Sequence, residues 1–235
     1  MMSTSKTTIK NAHINWDCEG KFNFTTGFGA TKAESMIANY AAFIAPVILY
    51  FFAWQTLEWS WLQIIVASLL TLDMIGGVLT NSLGSMKRFL HTNQKLELTW
   101  MGKLVGSKFL FPAIHFQLFA VPLCFDVAWS YAFFWYAVMM VSVVFLHFLP
   151  LYLQRPVALL AVMLSIILST LVPAPTGLEW LAPIFIIKLV LSHGVRALPP
   201  VSFSIDTSIV NYAPLINETP ARNSCWRFLY LVLTR

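Results

Sequence analysis

The stretch Trp61–Leu83, WLQIIVASLLTLDMIGGVLTNSL, is apolar along nearly its whole length and carries one acidic side chain, Asp73, near its centre. A span needs about 20 predominantly apolar residues to cross roughly 30 Å of hydrocarbon, so this run predicts a membrane helix. A carboxylate at that depth costs several kcal/mol unless it is paired or hydrated, which makes Asp73 the first candidate for a functional group.

Composition agrees with that reading. The 235 residues are 58% hydrophobic, 15% aromatic and only 11% charged, and the mean hydropathy is +0.71. Soluble domains carry about 25% charged residues, so the expected class is an all-α, polytopic membrane bundle. The formal charge of +5 is concentrated in loops rather than in a patch suited to nucleic acid, so no nucleic-acid partner is expected. Cys18, Cys124 and Cys225 follow no CxxC or CxxH spacing, and neither a disulfide framework nor a zinc site is expected. The first thirty-five residues lack a short apolar segment of the signal-peptide kind.

Working outward from Trp61–Leu83, six spans are predicted, at about 36–54, 60–84, 104–125, 127–151, 156–172 and 178–197, within a membrane domain of 36–198. Residues 1–35 are expected to be a polar cytoplasmic segment and 199–235 a partly disordered cytoplasmic tail, with Cys225–Leu233 too short to span. Gln154-Arg155-Pro156 and Pro173–Gly177 read as joints, because proline and glycine stop helices. The loop 85–103 carries Lys87, Arg88, Lys95 and Lys103 against the single Glu97, and positive loops stay cytoplasmic. Arg155 and Arg196 fall on that same side, while Trp54, Trp59, Trp61, Trp129 and Trp180 gather at the opposite face as an aromatic belt. The expected topology is therefore N-in, C-in, in a plasma (inner) membrane. Met86–Trp100 mixes aromatic, aliphatic and basic residues and reads either as an interfacial helix or as an ordinary connection.

At about 1.5 Å of rise per residue, Asp73, His115, Gln117 and Lys188 fall in one layer, and Asn81, Lys108, His147 and His193 in a shallower one. These layers belong to the second, third, fourth and sixth spans. Asp73, Gly77, Asn81 and Ser85 recur every four residues and so share a face, with Gly76 and Gly77 allowing close approach of a neighbour. Lys188 and His193 lie about 140° apart on an α-helix and need not see the same space. Pro112, between Lys108 and His115, is placed to bend the third span.

The best functional expectation is binding or transport of a small solute or ion in a polar cavity, with Asp73, Asn81, His115 and Lys188 as its binding residues. Against it stands a purely structural Asp73–Lys188 ion pair, as in a non-catalytic accessory subunit. The alternative is a membrane-embedded metal or haem protein in which His147 and His193 are ligands and His91 or His115 a third, since imidazoles at one depth on different helices suit such ligation. Histidines so placed also bond carbonyls or lipid headgroups, and His13 and His91 read as solvated. Lys108 reads as a snorkelling lysine. No motif requires a cofactor: HExxH, GxSxG and P-loop patterns are absent, as is a regular arginine ladder. An enzyme is the less favoured class, the bilayer itself is the one obligatory partner, and oligomer formation is compatible with the sequence.

Overall fold

The computed structural model describes residues 7–9, 12–14, 17–92, 94–196 and 201–202. Eight helical elements carry the fold: α1 (Lys32–Thr56), α2 (Trp61–Ser82), α3 (Gly84–His91), α4 (Trp100–Val105), α5 (Leu110–Cys124), α6 (Trp129–Phe148), α7 (Leu151–Ser169) and α8 (Leu181–His193). Three very short strands, β1 (Thr7–Ile9), β2 (Ala12–Ile14) and β3 (Val201–Ser202), form an antiparallel sheet in the order β1-β2-β3.

Four helices, α1, α2, α6 and α7, are long and apolar enough to cross a membrane. The expected third and sixth spans are shorter and irregular. In α5 an α-helical turn at Leu110–Ala113 gives way to a 3-10 turn at Gln117–Phe119 and then to Ala120–Cys124. Pro112 and Pro122 each lack the N–H that a continuous helix needs. In α8 the last seven residues, Ile187–His193, are π-helical. The joint expected at Gln154-Arg155-Pro156 lies earlier: Pro150 caps α7, and Pro156 sits inside it, as helix-breaking residues do where neighbours re-satisfy the backbone.

Capping chemistry written in the sequence starts the two helices that matter most for the site. Thr31 and Glu34 form a capping box on α1, with Thr31 N donating to Glu34 Oε2 at 2.8 Å. The other oxygen of Glu34 accepts from Ser85 N at 3.0 Å, so one side chain closes the starts of α1 and α3. Ser60 and Gln63 form the same box on α2, and Gln63 Nε2 donates to Cys124 O at 3.0 Å, which ties the start of α2 to the end of α5.

The main core gathers Met74, Leu118, Trp135, Met139, Phe185 and Leu189, all fully buried, from α2, α5, α6 and α8. Helices in lipid gain little from hydrophobic transfer, so close fit holds them. On α1 the buried positions are mostly small, Ala38, Ala42 and Ala53, and a Cβ at Gly76 on α2 would meet Ala42 Cβ at 3.4 Å. The two helices approach through alanine and glycine.

The stretches expected to be a polar terminus and an interfacial loop pack on each other. Phe22, Phe28 and Phe89 form a ring cluster, with Phe22 and Phe89 centroids 4.7 Å apart. Arg88 donates to the carbonyls of Phe28 and Gly29 at 3.2 and 2.9 Å. Gly27 has φ +72, and a Cβ there would lie 2.6 Å from Ser85 O, so the turn admits only glycine. Helix α3 is consequently buried along most of its length, at Ser85, Met86, Lys87, Phe89, Leu90 and His91. Of the stretch Met86–Trp100, the helix takes residues to His91 and residues 94–99 are non-helical connection, and His91, expected in solvent, is 6% exposed. The C-terminal segment Cys225–Leu233 and the tail from Phe203 lie outside the described residues.

Candidate functional site

A cavity of about 650 Å³ lies among α1, α2, α5 and α8, with Phe24 and Thr25 at one end. Asp73, Asn81, His115 and Lys188, the four residues singled out from the sequence for binding, all line it, together with Gln117. The wall differs from the expected one: α1 supplies Ala38, Asn39 and Ala42, whereas α6, the expected fourth-span wall, supplies no lining residue. Thr25, Asn39 and Thr80 are polar lining residues missed in the sequence. Asn39, at the foot of an apolar run, was the findable one.

On α2 the four-residue spacing of Asp73, Gly77 and Asn81 works as expected, and all three line the cavity. Ser85 does not share that face, because the backbone turns extended at Leu83 and Ser85 belongs to α3. Lys188 Nζ donates to Asp73 Oδ2 at 2.7 Å; the lysine side chain is 2% exposed and the aspartate 40%. The lysine stem reaches Asp73 by crossing α2 at Gly77, where a Cβ would lie 2.8 Å from Lys188 Cδ. Gly77→Ala is therefore expected to displace the ammonium and to destabilise by about 1–3 kcal/mol, the usual cost of overpacking. Thermal unfolding of the purified variant in detergent measures it, and an unchanged midpoint contradicts the packing described.

The break in α5 and the start of the π segment of α8 both border this cavity. Ile114, His115 and Gln117 line it from the break in α5. His115 Nδ1 bonds the Phe111 carbonyl at 2.5 Å, which leaves Nε2 of the neutral ring as an acceptor. The Ala113 carbonyl, opened by the break, is taken by the Tyr136 hydroxyl at 2.6 Å. In α8 the i→i+5 pattern puts Lys188 and His193 one turn apart rather than 140° apart. His193 nonetheless does not line the cavity: its ring stacks on Phe111 with centroids 4.5 Å apart, and Phe111, which does line it, meets His115 edge-on at 4.4 Å. Beyond α8, the buried Lys87 ammonium donates to the carbonyls of Ser192 and Val195, satisfying the helix end. Burial pushes its pKa down to about 7.

Several buried polar atoms lack a hydrogen-bond partner among the described residues. Asn81 Nδ2 and Gln117 Oε1 are two of them, and both side chains line the cavity. The remaining oxygen of Asp73 and the ring Nε2 of His115 are acceptors in the wall, and the Asn81 and Gln117 amides each bring an N–H donor and an oxygen, so the space presents both acceptors and donors.

His147 and His193 differ in setting. His147 is exposed on α6 beside Phe109 and Phe148, and His193 is buried at 2% exposure. Among the described residues no group of three or more His, Cys, Asp or Glu side chains is arranged to hold a metal ion. Lys108 is exposed, as a snorkelling lysine would be. Compared with known proteins, the chain matches no family model, no curated protein and no solved structure.

Proposed function

We propose that this chain is a six-span, N-in, C-in protein of the plasma membrane that binds and passes a small polar solute through the Asp73 cavity. The observation that carries the reading is the coincidence of three unusual features at one place. The aspartate of the long apolar run, the break in α5 and the π segment of α8 all border a single space. Non-helical backbone at membrane depth is tolerated where it is buried in protein or lines a cavity, and discontinuous helices are a recurrent way of building solute sites. A π segment costs hydrogen-bond geometry and recurs at functional positions.

Charge balance chooses among ligands. Asp73 is already neutralised by Lys188, so a bare cation gains no net charge complement there, whereas a neutral solute with hydroxyl or amide donors meets Asp73, Gln117 and His115 as acceptors. The competing reading, a structural ion pair, is favoured by the direct 2.7 Å contact. It leaves the partnerless Asn81 and Gln117 atoms without a purpose.

A short alkane diol carrying a diazirine separates the two readings, using full-length protein in nanodiscs. Photolabel is expected on peptides containing Asn81 and His115–Gln117, competed by excess 1,2-propanediol and not by potassium. Asp73→Asn should reduce that labelling roughly tenfold or more, the loss expected for a hydrogen bond to a charged group. Labelling spread evenly over the lipid-facing sides of α6 and α7, and indifferent to Asp73→Asn, overturns the proposal.

A further inference from the structure

The Asp73 cavity adjoins two clefts on the apolar surface of the helices. A cleft of about 400 Å³ runs between α1 and α2, lined by Pro46, Tyr50, Trp61, Ile65 and Leu69, and it shares Phe43 and Leu72 with the cavity wall. A third cleft, of about 320 Å³, shares Asp73 and Gln117 with it. Phe43, Trp61, Ile65 and Leu69 are each more than half exposed on helices apolar enough to cross a membrane. The Asn23–Gly27 turn, whose Phe24 and Thr25 also line the cavity, is closed by paired backbone bonds of 2.9 and 2.8 Å and held against α3. The polar space thus adjoins exposed apolar helix surface and has a packed turn in its wall.

From this adjacency we infer that the site takes a membrane amphiphile: a neutral head bearing hydroxyl or amide donors beside Asp73, and a single hydrocarbon tail along the α1–α2 groove. The inference rests on the reading of the Asp73 cavity given above and adds the substrate class. Leu72 to Trp61 spans eleven residues of helix, about 16 Å of groove, enough for one extended chain rather than a bilayer-length one. The head, not the tail, supplies selectivity, because a tail leaving lipid for an apolar groove exchanges one hydrocarbon setting for another. Hydroxyl or amide donors suit the acceptors of Asp73, Gln117 and His115, and a carbonyl or ether oxygen suits the buried, partnerless Asn81 amide, whose residue is 3% exposed. A quaternary ammonium head offers neither donor nor acceptor, and a sulfate head offers no donor to Asp73 and brings a charge that the neutral Asp73–Lys188 pair does not balance.

The test is photolabelling with a monoacylglycerol whose diazirine lies in the tail, on the full chain in nanodiscs, alongside the short diol. Label is expected on the Phe43–Tyr50 and Trp61–Leu69 peptides, saturable, competed by unlabelled monoacylglycerol and not by an alkyl sulfate or an alkyltrimethylammonium. Ile65→Trp, which narrows the groove at an exposed position, should cut groove labelling about tenfold while labelling by the short diol persists. Uniform, non-competable tail labelling over α6 and α7 with normal diol labelling overturns this inference alone. Loss of labelling by both probes in folded wild type overturns the solute reading as well.

Discussion

Asp73→Leu is expected to destabilise the folded chain by about 3–5 kcal/mol, because it strands an ammonium in the interior. The two partners are not equivalent. Lys188 is 2% exposed and Asp73 is 40% exposed, so Lys188→Met leaves its counter-charge facing a polar space and should cost distinctly less. The double variant Asp73→Leu/Lys188→Met removes both charges and should recover most of the loss, as buried pairs replaced by apolar residues often do. Folded fraction on size-exclusion chromatography and thermal unfolding in detergent measure all three. Equal losses below about 1 kcal/mol in both single variants, the range of surface pairs, would mean that the pair is not desolvated.

Acid should loosen the packed base of the structure through His91. Burial first, and then the positive charges of Lys87, Lys108, His193 and Arg196, push its pKa down from 6.5 to about 3. Between those values the unfolded chain binds a proton that the native chain refuses, so stability falls as pH drops from 6.5 toward 3 and is insensitive to this group above 6.5. The slope amounts to about 1.4 kcal/mol per pH unit at most, hence about 3 kcal/mol by pH 4. His91→Phe keeps the ring and removes the titration. Thermal midpoints between pH 7 and pH 4 should fall less steeply in that variant, and an undiminished acid slope would locate the effect elsewhere.

Much of the site on α2 is legible because local periodicity alone fixes a helix face: Asp73, Gly77 and Asn81 needed no knowledge of neighbours. Gly77 was legible as a place of close approach, although only the fold shows that what approaches is the stem of Lys188 rather than a backbone. Lys188 and His115 were matched to Asp73 by expected depth, and the fold brings all three to one cavity. The angular argument on α8 separated Lys188 from His193, which does not line the cavity, but on the wrong geometry. The 140° offset between Lys188 and His193 assumed α geometry, and the π segment removes it. Apart from Asn39, the contribution of α1 was illegible for a different reason: Ala38 and Ala42 carry no chemical signal, and their role follows from which helix lies beside Gly76. The burial of His91 and Lys87 is likewise a tertiary event, produced by Glu34, Arg88 and the Phe22–Phe28–Phe89 cluster drawing a polar-looking segment against α3. Charge count in a loop gives no information about that.

What separates a solute site from a strut is behaviour once the pair is gone and the fold is intact. Labelling of the folded Asp73→Asn/Lys188→Met variant by the short diazirine diol addresses this most directly, since neither residue then carries a charge to strand. The solute reading predicts a folded protein whose cavity labelling has fallen at least tenfold. Labelling of the Asn81 and His115–Gln117 peptides at the wild-type level, still competed by 1,2-propanediol, would contradict it and leave Asp73 and Lys188 as a structural pair.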